Sequence, residues 1–131
     1  MIAFIGLGNI GNEYANTKHN AGFWSIDEFA IRNNVSFKPG RGSFVFSQIK
    51  SKQVILIKPT TGMNKSGIAV REIMDCWGIL HSEIVIILDD VDLPLGTLRI
   101  RPKGGDGCHK GLENIISVSY THLTLPTKRI V

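Results

Sequence analysis

The sequence has few cysteines and no long apolar segment. Its two cysteines, Cys76 and Cys108, form neither a disulfide framework nor a metal-ligand spacing, so we expect two reduced thiols. No run approaches the roughly 20 apolar residues of a membrane helix. The N-terminus starts directly with a strand-like run and lacks the basic, apolar and cleavage regions of a signal peptide. These absences predict a cytoplasmic protein without a membrane partner.

A large charge imbalance is also missing. The chain has 15 basic and 11 acidic residues, and without Lys128 and Arg129, which lie in the tail considered below, the net charge falls from +4 to +2. Bulk charge therefore does not indicate nucleic acid, and only a local cluster would. The one basic cluster in the sequence is explained either by a solvated face or by a strip that follows phosphates; it consists of Arg99, Arg101, Lys103 and Lys110.

Strand and helix patterns alternate along these 131 residues, which is the length of one domain. Helical spacing predicts one helix from about Asn20 to Asn33 and another that buries Ala69, Ile73, Cys76 and Trp77 and ends near Gly78. A hairpin between two of the strands breaks a purely parallel order, so we predict a single-domain α/β fold with a mixed central sheet flanked by helices. The predicted strands are residues 2–5, 44–49, 54–57, 84–88 and 97–101.

Three polar loops follow apparent core strands, at residues 8–19, 60–66 and 89–96. If those strands are parallel neighbours, their C-terminal loops converge on one edge of the sheet, where open α/β sheets bind ligands. The residues expected to meet in one cleft there are Asn9, His19, Asn64 and Asp89.

Residues 6–11 (GLGNIG) have the Gly-x-Gly-x-x-Gly spacing of dinucleotide-binding proteins. That function also needs a helix opening at the last glycine and an acidic residue about 20 positions on, at the end of the next strand. Residues 12–18 are too polar for such a helix, and Asp27 and Glu28 fall inside the next helical pattern. A tight turn that aims side chains into the cleft explains the glycines better, and a nucleotide-dependent oxidoreductase is kept as an alternative.

His19 is the natural general base, because histidine alone has an ordinary pKa near physiological pH, about 6.5. A carboxylate at a strand end, such as Asp89, can fix one imidazole tautomer and stabilise the imidazolium. No nucleophile completes a covalent triad: Ser66 does not lie in a nucleophile elbow, and Cys108 beside His109 is a poor pair. The two residues therefore predict an activated water that attacks an ester or a similar bond.

Asp89, Asp90 and Asp92 offer an alternative, since carboxylates bind divalent metals. Adjacent strand residues point to opposite faces, however, and no Glu or His cluster completes a shell, so no metal or cofactor is predicted. The amides of Asn9 and Asn64 can donate to a carbonyl oxygen and accept from a water, or they serve as turn residues.

Four ordered motifs span residues 1–117. They are residues 6–22, which contain GLGNIG, Tyr14 and TKHNAG; residues 58–67, KPTTGMNKSG; residues 89–96, DDVDLPLG; and residues 104–112, GGDGCHKGL. Together they resemble the motifs of bacterial-type peptidyl-tRNA hydrolases.

The resemblance implies an enzyme that hydrolyses the ester between a peptide and the 3′ ribose of tRNA and so recycles tRNA during translation. It implies a metal-independent, cytoplasmic monomer in which His19 activates the water and Asp89 orients the imidazole. The other implied roles are positioning of water and peptide carbonyl by Asn9 and Asn64, lining of the peptide cleft by Tyr14 and Met63, and binding of tRNA phosphate by Arg101, with Lys103 beside it in the basic cluster.

Three residues depart from the family pattern. Ile10 stands where the family has proline, and Cys108 stands for a glycine. Lys110 replaces an asparagine that contacts substrate, so it either binds RNA phosphate there or leaves the role of the amide unfilled. An RNA-binding protein of the same fold without catalysis is therefore an alternative.

The last fourteen residues, 118–131, fit neither the fold nor the family. They continue no helix and have no predicted partner strand, and they resemble the translation of a sequencing-library adapter. We therefore predict a hydrolase domain at residues 1–117, truncated at its C-terminus, and a non-native tail at residues 118–131. Since the family continues beyond Ser117 with further sheet and a helical lid, we expect the 131-residue chain to be inactive or weakly active.

Overall fold

Seven strands form one mixed sheet within the described part of the chain. The structure, a computed structural model, describes residues 1–8, 20–62, 65–88, 100–101 and 128–130. The spatial order of the strands is β2-β3-β4-β1-β5-β7-β6. Their bounds are β1 Ile2–Gly6, β2 Lys38–Pro39, β3 Phe44–Ile49, β4 Val54–Pro59, β5 Ile84–Ile87, β6 Ile100–Arg101 and β7 Lys128–Ile130.

The centre of the sheet is parallel. β1 pairs in parallel with β4 on one side and with β5 on the other, so that Ile5 lies opposite Ile57 and Ile86. All three isoleucines are completely buried. Covering on both faces explains why these strands are nearly continuous apolar runs rather than alternating ones. The predicted parallel neighbours are confirmed.

An antiparallel hairpin makes the sheet mixed, as predicted. β3 and β4 pair from Phe44 opposite Pro59 to Ile49 opposite Val54. A 3-10 turn at Lys50–Lys52 joins them, and Gln53 takes the left-handed conformation with φ 53°. β2 extends the sheet beyond β3 as a further antiparallel strand.

Two helices cover opposite faces of the sheet. α1 (Ala21–Arg32) buries Ile26 and Ala30 in a cluster with Leu56, whereas α2 (Ser66–Trp77) buries its apolar stripe against the face that carries Ile5 and Ile57. The two ends of α1 and the C-terminal end of α2 agree with the helical spacing. Within the described ranges, no helix has the length and apolar character needed to cross a membrane.

The buried face of α2 differs from the predicted one at Cys76 and Val70. Ala69 and Ile73 are completely buried, but Cys76 is exposed, and Val70 takes its place in the core. Trp77 is half-buried and packs edge-on against Phe46, with the ring centroids 5.0 Å apart. α2 ends immediately after Trp77, and Gly78 caps it with φ 63°, which glycine adopts without steric cost.

The expectation that the tail has no partner strand is wrong for three residues. Lys128–Ile130 form β7, which pairs in parallel with β5 and antiparallel with β6. A buried parallel strand such as β5 needs a partner on its free side, since unpaired backbone groups there would be costly. β6 confirms the end of the predicted strand 97–101, and residues 97–99 lie outside the described ranges. The predicted helix at 112–117 lies outside them as well.

Glu83 links the N-terminus to the start of β5. Its carboxylate accepts hydrogen bonds from the backbone N–H of Leu80 at 3.0 Å and from the N-terminal ammonium of Met1 at 3.2 Å. These two bonds hold the pKa of Glu83 below its ordinary value of 4.5, and the bond from the Leu80 backbone has the larger effect.

A lowered carboxyl pKa stabilises the fold above the unfolded pKa, and this stabilisation is lost as the pH falls through the folded pKa. We therefore expect Glu83→Gln to destabilise the protein at pH 7 and the difference in melting temperature from the parent chain to shrink as the pH falls below about 4.5. Thermal unfolding followed from pH 7 to pH 3 measures this. Ser82→Ala, at the exposed neighbouring position, is the control, and a pH-independent effect of Glu83→Gln would contradict the prediction.

Candidate functional site

The carboxyl ends of β4, β1 and β5 lie side by side at one edge of the sheet. The parallel register sets Phe4 opposite Leu56 and Val85, so the three strands run in step toward this edge. The backbone N–H of Leu7, just beyond β1, donates to the carbonyl of Ile87 at 2.9 Å. The three polar loops singled out in the sequence leave the sheet at this edge, which is where ligands bind in open α/β sheets.

α1 begins at the same edge and touches the sheet with its backbone. A Cβ added at Gly22 would overlap the carbonyl oxygen of Ile87 and would lie 2.6 Å from both the nitrogen and the oxygen of Leu7. Gly22 thus allows the first turn of α1 to rest directly on the junction between β1 and β5. A larger residue there would force the helix away from the sheet.

The other glycines of this contact also serve packing. A Cβ at Gly6 would overlap the carbonyl of Gly22, and one at Gly8 would lie 2.7 Å from the ring of Phe23 and 2.8 Å from Oδ1 of Asn20. Asn20 is 3% exposed. Gly6 and Gly8 therefore make room for α1. Residues 9–19 lie outside the described ranges, so the interpretation of the glycines as a turn and not as a dinucleotide site stays a prediction.

The chain between β4 and α2 returns to the edge through a tight turn. Gly62 has φ 82°, and its carbonyl accepts a hydrogen bond from the backbone N–H of Lys65 at 3.1 Å. Ser66, the first residue of α2, is 1% exposed. The two positions between Gly62 and Lys65 are residues 63 and 64 of the predicted site, so the structure fixes the chain on both sides of them.

Eight of the nine predicted site residues lie outside the described ranges: Asn9, Tyr14, His19, Met63, Asn64, Asp89, Lys103 and Lys110. For Arg101 the structure gives its strand, β6, which is the last strand of the sheet beyond β5 and β7. The described neighbours Gly8, Asn20 and Leu88 all lie at the edge where the site was expected. The mutual geometry of the nine side chains remains a prediction.

A charged cluster that the sequence analysis did not identify joins α1 to β4. Nζ of Lys58 donates to Oδ1 of Asp27 at 2.5 Å and lies 4.4 Å from the ring centroid of Phe37. It also lies 5.8 Å from the ring of Phe23, the residue that packs on Gly8. The sequence did contain a signal for this cluster. Phe23 and Asp27 are four residues apart and so share a face of α1, and Lys58 lies on the same face of β4 as Leu56.

The Lys58–Asp27 pair is expected to stabilise the packing of α1 on β4 by about 1 kcal/mol. Lys58 is only 21% exposed, so water screens this pair less than a fully exposed one, although Asp27 is 45% exposed. A double-mutant cycle with Asp27→Asn and Lys58→Met, followed by urea unfolding, measures this coupling. The matched control is Arg32–Glu28, an exposed pair on the same helix, for which we expect at most about 0.5 kcal/mol. Equal coupling in the two pairs would contradict the prediction.

No group of three or more histidine, cysteine or acidic residues that could hold a metal ion occurs among the described residues. The alternative metal site at Asp89, Asp90 and Asp92 lies outside them. The described strands define an α/β protein whose parallel strands end together at one edge, the place where open α/β sheets bind ligands.

Comparison with known proteins narrows this class. The family model for peptidyl-tRNA hydrolase matches residues 3–124, and the chain belongs to the peptidyl-tRNA hydrolase family. The match extends seven residues past the predicted domain end at 117.

Individual relatives agree with the family match. A peptidyl-tRNA hydrolase of Geobacillus kaustophilus (strain HTA426) is 47% identical over 118 residues, which are 88% of this chain and 63% of that protein. One of Bacteroides fragilis is 48% identical over 115 residues, 87% of this chain and 62% of the relative. The crystal structure of peptidyl-tRNA hydrolase from Acinetobacter baumannii superposes with a TM-score of 0.90 at 32% identity, covering 99% of this chain and 66% of that one. The chain thus spans somewhat less than two thirds of the length of these proteins.

Proposed function

We propose that this protein hydrolyses peptidyl-tRNA, cleaving the ester between the peptide and the 3′ ribose of the tRNA with a water activated by His19 and Asp89. The observation that carries the proposal is the meeting of the chain segments around positions 7–8, 20–23 and 87 at one sheet edge in a member of the peptidyl-tRNA hydrolase family. The relatives named above bear that activity in their names.

Covalent geometry supports the role of the two residues. Consecutive Cα atoms are about 3.8 Å apart, which limits how far His19 can lie from Asn20 and Asp89 from Leu88. Asn20 lies against Gly8, and Leu88 directly follows the carbonyl of Ile87 that bonds Leu7. An imidazole and a carboxylate delivered from these two points are candidates for a hydrogen-bonded pair at the edge.

In the proposed reaction, His19 removes a proton from the water as it attacks the ester carbonyl, and Asp89 holds the imidazole and stabilises its cation. The amides of Asn9 and Asn64 orient the water and the carbonyl oxygen. No metal or cofactor takes part.

The remaining residues are proposed to bind the two halves of the substrate. Tyr14 and Met63 line the cleft for the peptide, and Lys110, in place of the asparagine of the family, contacts the substrate. Arg101 and Lys103 bind tRNA phosphate from the β6 side. The protein acts as a cytoplasmic monomer.

Release of labelled peptide from peptidyl-tRNA tests the proposal. Two proteins are compared: the chain as printed, and an extended chain in which residues 118–131 are replaced by the C-terminal part of the Geobacillus relative. We expect the extended chain to release peptide and the printed chain to do so much more slowly. Release by neither protein would contradict the proposed reaction, and equal release by both would contradict the prediction that the printed chain is inactive or weakly active.

A further inference from the structure

Three exposed cations lie in or next to β2, β3 and α2. They are Lys38 on β2, Arg41 in the turn between β2 and β3, and Lys65 before α2. None of them forms an ion pair with any carboxylate in the described ranges, whereas Lys58 and Arg32 there both have acidic partners. In the sequence only positions 99–110 stand out as a basic cluster, because Lys65 follows Arg41 by 24 residues.

The turn that carries Arg41 belongs to the same edge of the sheet as the candidate site. β3 runs antiparallel to β4, so its first residue, Phe44, is paired with Pro59 at the carboxyl end of β4. The carbonyl of Ser43 accepts a hydrogen bond from the N–H of Thr60 at 2.8 Å, which ties the turn to the loop that follows β4.

The turn is held on α2 as well. Both carboxylate oxygens of Glu72 accept from the N–H of Ser43, each at 3.2 Å, and the space beside Gly42 is filled by the Glu72 side chain. Glu72 is thus occupied by the turn rather than by Arg41. Lys65 precedes Glu72 by seven residues, which is two helical turns, or about 10 Å, along the same stripe.

We infer that Lys38, Arg41 and Lys65 form a second phosphate-binding surface, on the flank of the candidate site opposite β6, and that its ligand is the RNA backbone of the substrate. The inference rests on the proposed function for the identity of the RNA. The strand order sets β4, β1 and β5 between this surface and β6, so the proposed ester site lies between two basic groups.

RNA fits this surface better than an acidic protein does. Lys38 lies on the edge strand β2, Arg41 in a hydrogen-bonded turn and Lys65 at the start of α2. Close to Lys65 in the sequence, Thr61 and Gly62 are half-buried and Ile68 is exposed. An exposed polar rim without a buried apolar centre is typical of contacts to a phosphate backbone, whereas protein interfaces bury an apolar core.

The test measures binding of a short RNA hairpin with a single-stranded 3′ end and no peptide, at several salt concentrations, with the printed chain. Removing three phosphate contacts by Lys38→Gln, Arg41→Gln and Lys65→Gln together should weaken binding and reduce the slope of log K against log salt by about 2 to 3. The matched control is Lys50→Gln, at the opposite edge of the sheet, which should leave the slope unchanged. Lys50 is exposed and forms no ion pair within the described part of the chain. The charge-keeping changes Lys38→Arg, Arg41→Lys and Lys65→Arg should retain most of the affinity.

Absence of RNA binding by the unsubstituted chain, or an unchanged slope in the triple variant, would overturn the inference. A loss of the same size for poly-glutamate would also overturn it, because the surface would then take any polyanion. The binding test does not depend on turnover. Loss of RNA affinity in the triple variant supports the phosphate-binding surface even if the extended chain releases no peptide. Absence of peptide release would contradict only the proposed reaction.

Discussion

Replacing His19 with alanine is expected to lower the rate of peptidyl-tRNA hydrolysis by the extended chain about 10²–10⁴-fold, the usual contribution of a general base. Asp89→Asn should lower the rate by a similar factor, because an amide does not stabilise the imidazolium as a carboxylate does. Because the base must be unprotonated to accept the proton of the water, the rate should also fall at low pH, where the imidazole is protonated. Single-turnover release of labelled peptide at saturating enzyme measures the chemical step directly.

His81→Ala is the matched control for this prediction. His81 lies in the 3-10 turn His81–Glu83 that precedes β5, at the opposite edge of the sheet from the candidate site, so its loss should leave turnover unchanged. Undiminished turnover in His19→Ala would contradict the proposed mechanism. If neither the His19→Ala variant nor the His81→Ala variant hydrolyses the ester but both still bind RNA in a salt-dependent way, the alternative of an RNA-binding protein without catalysis is favoured.

The arrangement of the described core could be predicted from the sequence because its signals are local and strong. Continuous apolar runs indicated strands buried on both faces, and helical spacing placed both ends of α1 and the end of α2 to within a residue or two. The prediction for Cys76 was wrong because this position borders the buried stripe of α2. Periodicity alone cannot decide whether a residue at the border faces the core or solvent. β7 was missed because three residues of strand carry no periodic signal, and their pairing depends on the free side of β5.

Predicting the candidate site from the sequence required one assumption that only the fold could test. The polar loops converge only if β4, β1 and β5 are parallel neighbours, which the sheet order confirms. The long-range contacts that support the second phosphate-binding surface could not be predicted in the same way. Arg41 and Lys65 reach one edge through the Ser43–Thr60 and Ser43–Glu72 bonds, and no spacing in the sequence encodes either bond.

Gly22→Ala is expected to destabilise the extended chain by about 1–3 kcal/mol, even though alanine is the better helix former. The added methyl group would overlap the carbonyl oxygen of Ile87 and crowd the backbone of Leu7, and backbone atoms in a paired sheet cannot move aside as a flexible side chain can. The helix must therefore shift. Since α1 begins two residues after His19, the shift should lower kcat of the proposed reaction more than it raises KM. Urea unfolding and steady-state kinetics measure the two effects separately.

Two substitutions separate the close contact from other consequences of adding a methyl group to a glycine. Gly78→Ala adds it where nothing lies within 4 Å, so only the left-handed backbone (φ 63°) costs energy there, about 1 kcal/mol, and kcat should not change. Ser25→Ala, on the exposed side of α1, should leave both stability and kcat nearly unchanged. A Gly22→Ala protein that unfolds at the same urea concentration as the parent would show that α1 does not rest on the β1–β5 junction. If it unfolds earlier but keeps its full kcat, the contact stabilises the fold without positioning the residues that precede the helix.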